Sequence, residues 1–92
     1  MPTIKRSKAD IYQDVLDLLC KEGAIIGTAS PSRVASRANL PYMRFQKVLE
    51  HLIDNALVRL TDNGILITEK GLYCLRELRQ ANSMLKKLGL DF

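Results

Sequence analysis

Apolar positions in the first quarter of the chain recur at helical spacing. In RSKADIYQDVLDLLCKEG, Ile11, Val15, Leu18 and Leu19 share one face, as a period of about 3.6 residues requires. Ser7 supplies a cap oxygen, Asp10 follows three residues later in the manner of a capping box, and Gly23 ends the run. AIIGTA then reads as a very short strand or extended connector. Ser30-Pro31 predicts a second helix, serine capping and proline taking the first helical position, where its missing N–H does no harm. That helix is short, ends near Ala38, and offers Val34 and Ala35 as apolar contacts. Asn39-Leu40 is the expected turn, and Pro41 is expected to open a third helix as Pro31 opens the second. Phe45, Leu49, Leu52 and Ile53, with Val48 beside them, form the predicted buried stripe of that helix.

The pattern then changes period. LVRLTDNGILITEKG has Asn63-Gly64 between two apolar, β-branched runs, a hairpin signal because both central residues of such a turn need positive φ. A two-residue loop at Asn63-Gly64 would pair Leu60 with Ile67 and Arg59 with Thr68. Thr68 caps a fourth helix running through EKGLYCLRELRQANSMLKKL, with Gly89 as a left-handed stop and Leu90 placed to fold back on Leu85. Helix, connector, helix, turn, helix, hairpin, helix is the order of a winged helix-turn-helix. The expected fold is therefore mainly α with a small β-hairpin. Residues 1–70 form the winged domain and residues 68–89 a C-terminal helix assigned to dimerisation.

Composition narrows the class without deciding it. The 92 residues, 47% hydrophobic and 26% charged, can bury one modest core and do not have the make-up of a disordered chain. No apolar run approaches a membrane span, and MPTIKRSKAD lacks the apolar core of a signal peptide, so the expected location is the cytoplasm, associated with the nucleoid. Cys20 and Cys74 form no CxxC pair and read as small core hydrophobes. Asp10, Asp14 and Asp17 share a face of the first helix, without the further hard ligands a metal site needs, and read as a solvated face.

The net charge of +4 tilts the chain toward anions, but placement says more than the total. No acidic residue stands between Glu22 and Glu50, and Arg33, Arg37, Arg44 and Lys47 lie in that window. A duplex presents dense phosphate charge that a nearby carboxylate would repel. On the third helix, counting about 100° per residue away from the buried stripe puts Met43, Lys47 and Asp54 outermost. Arg44 and Gln46 join Lys47 in its N-terminal half, the half a recognition helix commonly offers to the major groove. These side chains can reach guanine, adenine or phosphate. Tyr42 lies nearer the core edge with its hydroxyl able to meet a phosphate, and Arg59 is the wing's candidate contact, the hairpin tip TDNG having an acid and no base. The candidate DNA-binding residues are Arg33, Arg37, Tyr42, Arg44, Gln46, Lys47 and Arg59, and the expected partner is double-stranded DNA.

On the fourth helix, Cys74, Leu78, Ala81, Leu85 and Leu88 follow one another at intervals of four, three, four and three, a short heptad seam. Leu72 and Leu75 point elsewhere and are expected to pack on the domain. A chain this small has little core left to cover the seam, so Leu78, Ala81, Leu85 and Leu88 are the candidate contacts of a homodimer.

RSKADIYQDVLDLL, RANLPYMRFQKVLEHLIDNALV and ITEKG together resemble archaeal winged-helix DNA-binding proteins of the Sulfolobus ten-a type, over most of residues 6–88. The resemblance implies a dimer formed by antiparallel C-terminal helices, two winged modules presented to duplex DNA, and a chromatin-associated or regulatory role. It also implies that Arg37, Tyr42, Arg44 and Lys47 lie at the DNA face. Pro41 stands where that family usually has a serine cap, and Asn55-Ala56 replaces a Lys-Gly pair, with Asn55 able to take the left-handed role. The connector from Gly23 to Ala38 is several residues longer than in that family, and the last helix is at the short end.

Catalysis has no constellation to stand on. His51 has Lys47 and Glu50 as helical neighbours but no serine or cysteine partner at an informative spacing, and no P-loop, dinucleotide fingerprint or metal-ligand cluster occurs. No cofactor, metal or small-molecule substrate is expected. The rival reading is a protein-docking module, since the same fold also serves that purpose.

Overall fold

Serine, threonine and glycine set the ends of most elements in the computed structural model, which describes residues 7–89. In chain order these are α1 (Lys8–Lys21), α2 (Pro31–Arg37), α3 (Tyr42–Asp54), β1 (Val58–Thr61), β2 (Gly64–Ile67) and α4 (Glu69–Lys87). The expected capping box starts α1: the Asp10 N–H donates to Ser7 Oγ at 3.1 Å, and the Ser7 N–H donates to Asp10 Oδ2 at 3.3 Å. Ser30 caps α2 by accepting from the Arg33 N–H, with Pro31 just inside the helix. This is the winged helix-turn-helix order that the apolar pattern predicts.

The core draws on every element. Val15, Leu16 and Leu19 of α1, Val34 of α2, Phe45 and Leu52 of α3, Val58 of β1 and Ile65 of β2 are almost wholly buried. Two predicted faces are rotated. Leu16 takes the central place expected of Leu18, which is half-buried, because α4 packs along that side of α1. Ile53 of α3 is 37% exposed, and Phe45, Val48, Leu49 and Leu52 alone make the buried stripe.

The hairpin has a different register from the expected one. Val58 pairs with Ile67, Arg59 with Leu66, Leu60 with Ile65 and Thr61 with Gly64, so the loop is Asp62-Asn63. Neither loop residue has positive φ; only Gly64, just past them, does, at +136°. The cause lies outside the hairpin. Ala29 and Ile65 exchange backbone hydrogen bonds of 2.7 and 2.9 Å, and a Cβ on residue 64 would come within 2.6 Å of the Ala29 carbonyl oxygen. The glycine is therefore fixed against the connector, and the turn forms before it. That single bridge at Ala29 is all that the short strand expected in AIIGTA amounts to; Ile25 and Ile26 are exposed on a turn.

The stretch ITEKG joins the wing to α4. Thr68 Oγ1 lies 2.7 Å from the Ala56 carbonyl oxygen and 3.0 Å from that of Leu57, and accepts from the Gly71 N–H at 3.0 Å. A Cβ on residue 71 would sit 2.1 Å from the Leu57 oxygen, so only glycine lets the first turn of α4 close on this backbone. From there α4 runs antiparallel along α1: Arg79 Nη2 donates to Asp17 Oδ1, and Asn82 Nδ2 donates to Gln13 Oε1. Leu75 is buried and Leu72 half-buried against the core, as expected. Cys74 and Leu78 also pack on the core, so the core covers more of the seam than the expectation of little core left for it allowed. Ala81, Leu85 and Leu88 remain exposed. Gly89 has the expected positive φ of +69°, while the contact foreseen for Leu90 lies outside the described residues.

The acids of α1 are not a solvated row. Asp17 is held by Arg79, Asp10 belongs to the cap, and all three aspartates are partly buried. Both cysteines are free thiols half-buried at the core edge. Burial pushes the Cys20 thiol above its ordinary range, against the opposing pull of the Arg79 guanidinium, which disfavours the reactive thiolate.

Candidate nucleic-acid interface

The segment from α2 to α3 is a tight corner built by one left-handed residue. Asn39 adopts φ +59°, and the chain reverses there with the Asn39 N–H donating to the Ser36 oxygen and the Leu40 N–H to the Ala35 oxygen, both at 3.1 Å. Asparagine tolerates this conformation better than most residues. Val34, Ala35 and Ala38 on one side and Phe45 on the other then share the core, which fixes the angle between the two helices.

Pro41 departs from its expected place by one residue. It is the N-cap of α3 and not the first helical residue, and no side chain caps that end. The first-turn N–H groups are thus left to solvent or to an anion, at the end of the helix where the dipole favours negative charge. Tyr42, Met43, Arg44, Gln46 and Lys47 are all exposed there, with Phe45 buried beneath them. Tyr42 leans its ring on Phe45, centroids 6.2 Å apart, and is 49% exposed, so it stands at the core edge as expected. Arg44 and Lys47 have no carboxylate partner among the described residues.

Arg33 and Arg37 are in a different position. Their Nε atoms lie 3.7 and 3.5 Å from the two carboxylate oxygens of Glu22 at the end of α1. The acid-free window in the sequence is therefore not acid-free in space: the residue that bounds it folds back between the two α2 arginines. Arg59 is exposed on β1, opposite Leu66, and Asp62 is exposed at the tip of the wing.

A contact that sequence reasoning missed ties α3 to α1 at the flank of its exposed face. Tyr12 Oη and His51 Nδ1 are 2.9 Å apart, and their rings meet edge to face with centroids 6.2 Å apart. No spacing rule links positions so far separated; the tertiary fold brings them together. The end of α3 also differs from expectation. Ala56, not Asn55, takes the left-handed conformation at φ +59°, with the Ala56 N–H donating to the Ile53 oxygen and the Leu57 N–H to the Leu52 oxygen, both at 2.9 Å, a Schellman pattern. Asn55 instead donates its side-chain amide to the His51 carbonyl at 2.8 Å.

Among the described residues, no three metal-ligating side chains come together and no helix is long and apolar enough to cross a membrane. The fold, the corner and the hairpin together define a winged helix-turn-helix. The chain belongs to that family, whose model, described as winged helix-turn-helix, matches residues 5–86. Among solved structures it is similar to ZitR of Lactococcus lactis, wild type, with 18% identity and a TM-score of 0.61, covering 100% of this chain and 67% of that one. That likeness is one of fold. No curated protein matches the chain.

Proposed function

We propose that this protein binds double-stranded DNA through α3, with the wing beside it, as a transcription regulator or chromatin-associated protein of the archaeal Sulfolobus ten-a type. The observation that carries the reading is the N-terminal half of α3, where Arg44, Gln46 and Lys47 are exposed around an uncapped helix start and the two cations have no carboxylate partner among the described residues. A duplex offers phosphates to the two cations and base edges to all three side chains. Arg33, Arg37, Tyr42 and Arg59 are secondary contacts in this reading. The first two reach phosphate with their terminal guanidinium nitrogens while Nε stays on Glu22.

Residues 1–70 act as the DNA-binding unit and residues 68–89 as the dimerisation helix. Ala81, Leu85 and Leu88 support a homodimer because they continue a heptad seam onto an exposed surface; Leu78 contributes from the half-buried edge. The reading requires no cofactor or small-molecule substrate. It is tested by electrophoretic shift of a random-sequence duplex at low salt. Retardation of the duplex is expected, and its absence across the micromolar range would refute DNA binding and favour a docking role.

A further inference from the structure

Within the basic surface of α3 stands one large apolar side chain that the fold does not use. Met43 is 77% exposed, one residue before Arg44 and one helical turn before Lys47, which puts it on the same face as Lys47. Its neighbour Tyr42 spends its ring on Phe45, whereas Met43 points away from the core stripe. A single exposed apolar side chain is ordinary by itself. What sets Met43 apart is its place beside the cations on the proposed recognition face, where a partner that covers it recovers the free energy of burying apolar surface. The occupant must also accept the adjacent cations. An apolar protein patch would strip water from Arg44 and Lys47 without pairing them, while a duplex satisfies both requirements in one groove. Base edges in the major groove carry one apolar group, the C5 methyl of thymine, and the flexible thioether of methionine can adapt to it.

We propose that Met43 is a specificity-determining residue that packs on thymine methyl groups in the major groove, so that the protein prefers thymine-containing sites beneath the N-terminal half of α3. This rests on the DNA-binding reading and adds to it a base class and the residue that reads it.

The test compares the alternating duplexes poly(dA-dT) and poly(dA-dU), which differ only by that methyl, against the full chain and its variants at fixed salt. The wild-type chain is expected to bind the thymine polymer about three- to fourfold more tightly for each methyl covered, the value of burying roughly one CH₂-sized group. Met43→Ala is expected to erase the preference, and Met43→Leu to keep most of it. Because the side chain is exposed, neither substitution disturbs the core. Equal binding of both polymers by the wild type, or a preference that survives Met43→Ala, would overturn the assignment while DNA binding stands. Equal loss on both polymers in Met43→Ala would also overturn it, as a positional effect. Binding of neither polymer would overturn the DNA reading itself.

Discussion

Arg33 and Arg37 on α2 and Arg44 and Lys47 on α3 look alike in the sequence and differ in the fold. The α2 pair sits 3.5 to 3.7 Å from a shared carboxylate on α1; the α3 pair is exposed with no acid of its own among the described residues. A cation partly neutralised by its own protein gains less from a phosphate, because the neighbouring carboxylate offsets its charge and also repels the phosphate. Charge that is free in the monomer is charge available to a polyanion. Under the proposed DNA-binding reading, that puts the main electrostatic contact on α3 and gives α2 a supporting part.

The contrast predicts a ranking of effects on duplex affinity. Replacing Arg44 and Lys47 together with alanine should weaken binding by about a hundredfold, the loss of two charge-assisted contacts, with the thermal melt unchanged. Leu85→Asp should convert dimers to monomers by light scattering and weaken binding about tenfold through lost bivalency; an unchanged mass would remove α4 from the interface. Replacing Arg33 and Arg37 together should cost only about three- to fivefold, since Glu22 already offsets part of their charge. If that double variant matched the α3 one, the distinction between the helices would fail. Glu22→Gln should act in the opposite direction, strengthening binding about twofold by releasing the two arginines.

A last substitution separates fold from charge. Ala56 holds φ +59° at the end of α3, a conformation that costs a non-glycine residue about 1 kcal/mol. Ala56→Gly should raise unfolding stability by about that amount and leave duplex affinity unchanged. An altered affinity would mean that the variants above report on helix stability and not on charge.

The element order was legible because the helix starts carry local signals. The Ser7/Asp10 box, Ser30-Pro31 and Thr68 each act within a few residues of the helix they open. The errors share another cause. The hairpin register, the pairing of Glu22 with α2 and the bracing of His51 by Tyr12 are set by segments distant in sequence, and short-range turn rules cannot see them. Asn63-Gly64 is a sound hairpin signal in isolation, yet the backbone of Ala29 claims Gly64 first. The same limit applied to the seam on α4. Its heptad spacing was readable, but antiparallel packing on α1 buries part of it and leaves Ala81, Leu85 and Leu88 outside. Residue types in the candidate interface could be read directly, whereas which of its cations are free depends on the fold.

The central claim is that free cations on α3 meet duplex phosphate, and the salt dependence of binding tests it most directly. For the wild-type chain, log K against log salt should fall with a slope of roughly −4 to −5, as expected for about four to six neutralised phosphates. In the chain with Arg44 and Lys47 both replaced by alanine, the slope should be shallower by about 2. A wild-type affinity indifferent to salt, or a slope that the double substitution leaves unchanged, would contradict the assignment of α3 as the DNA-binding helix.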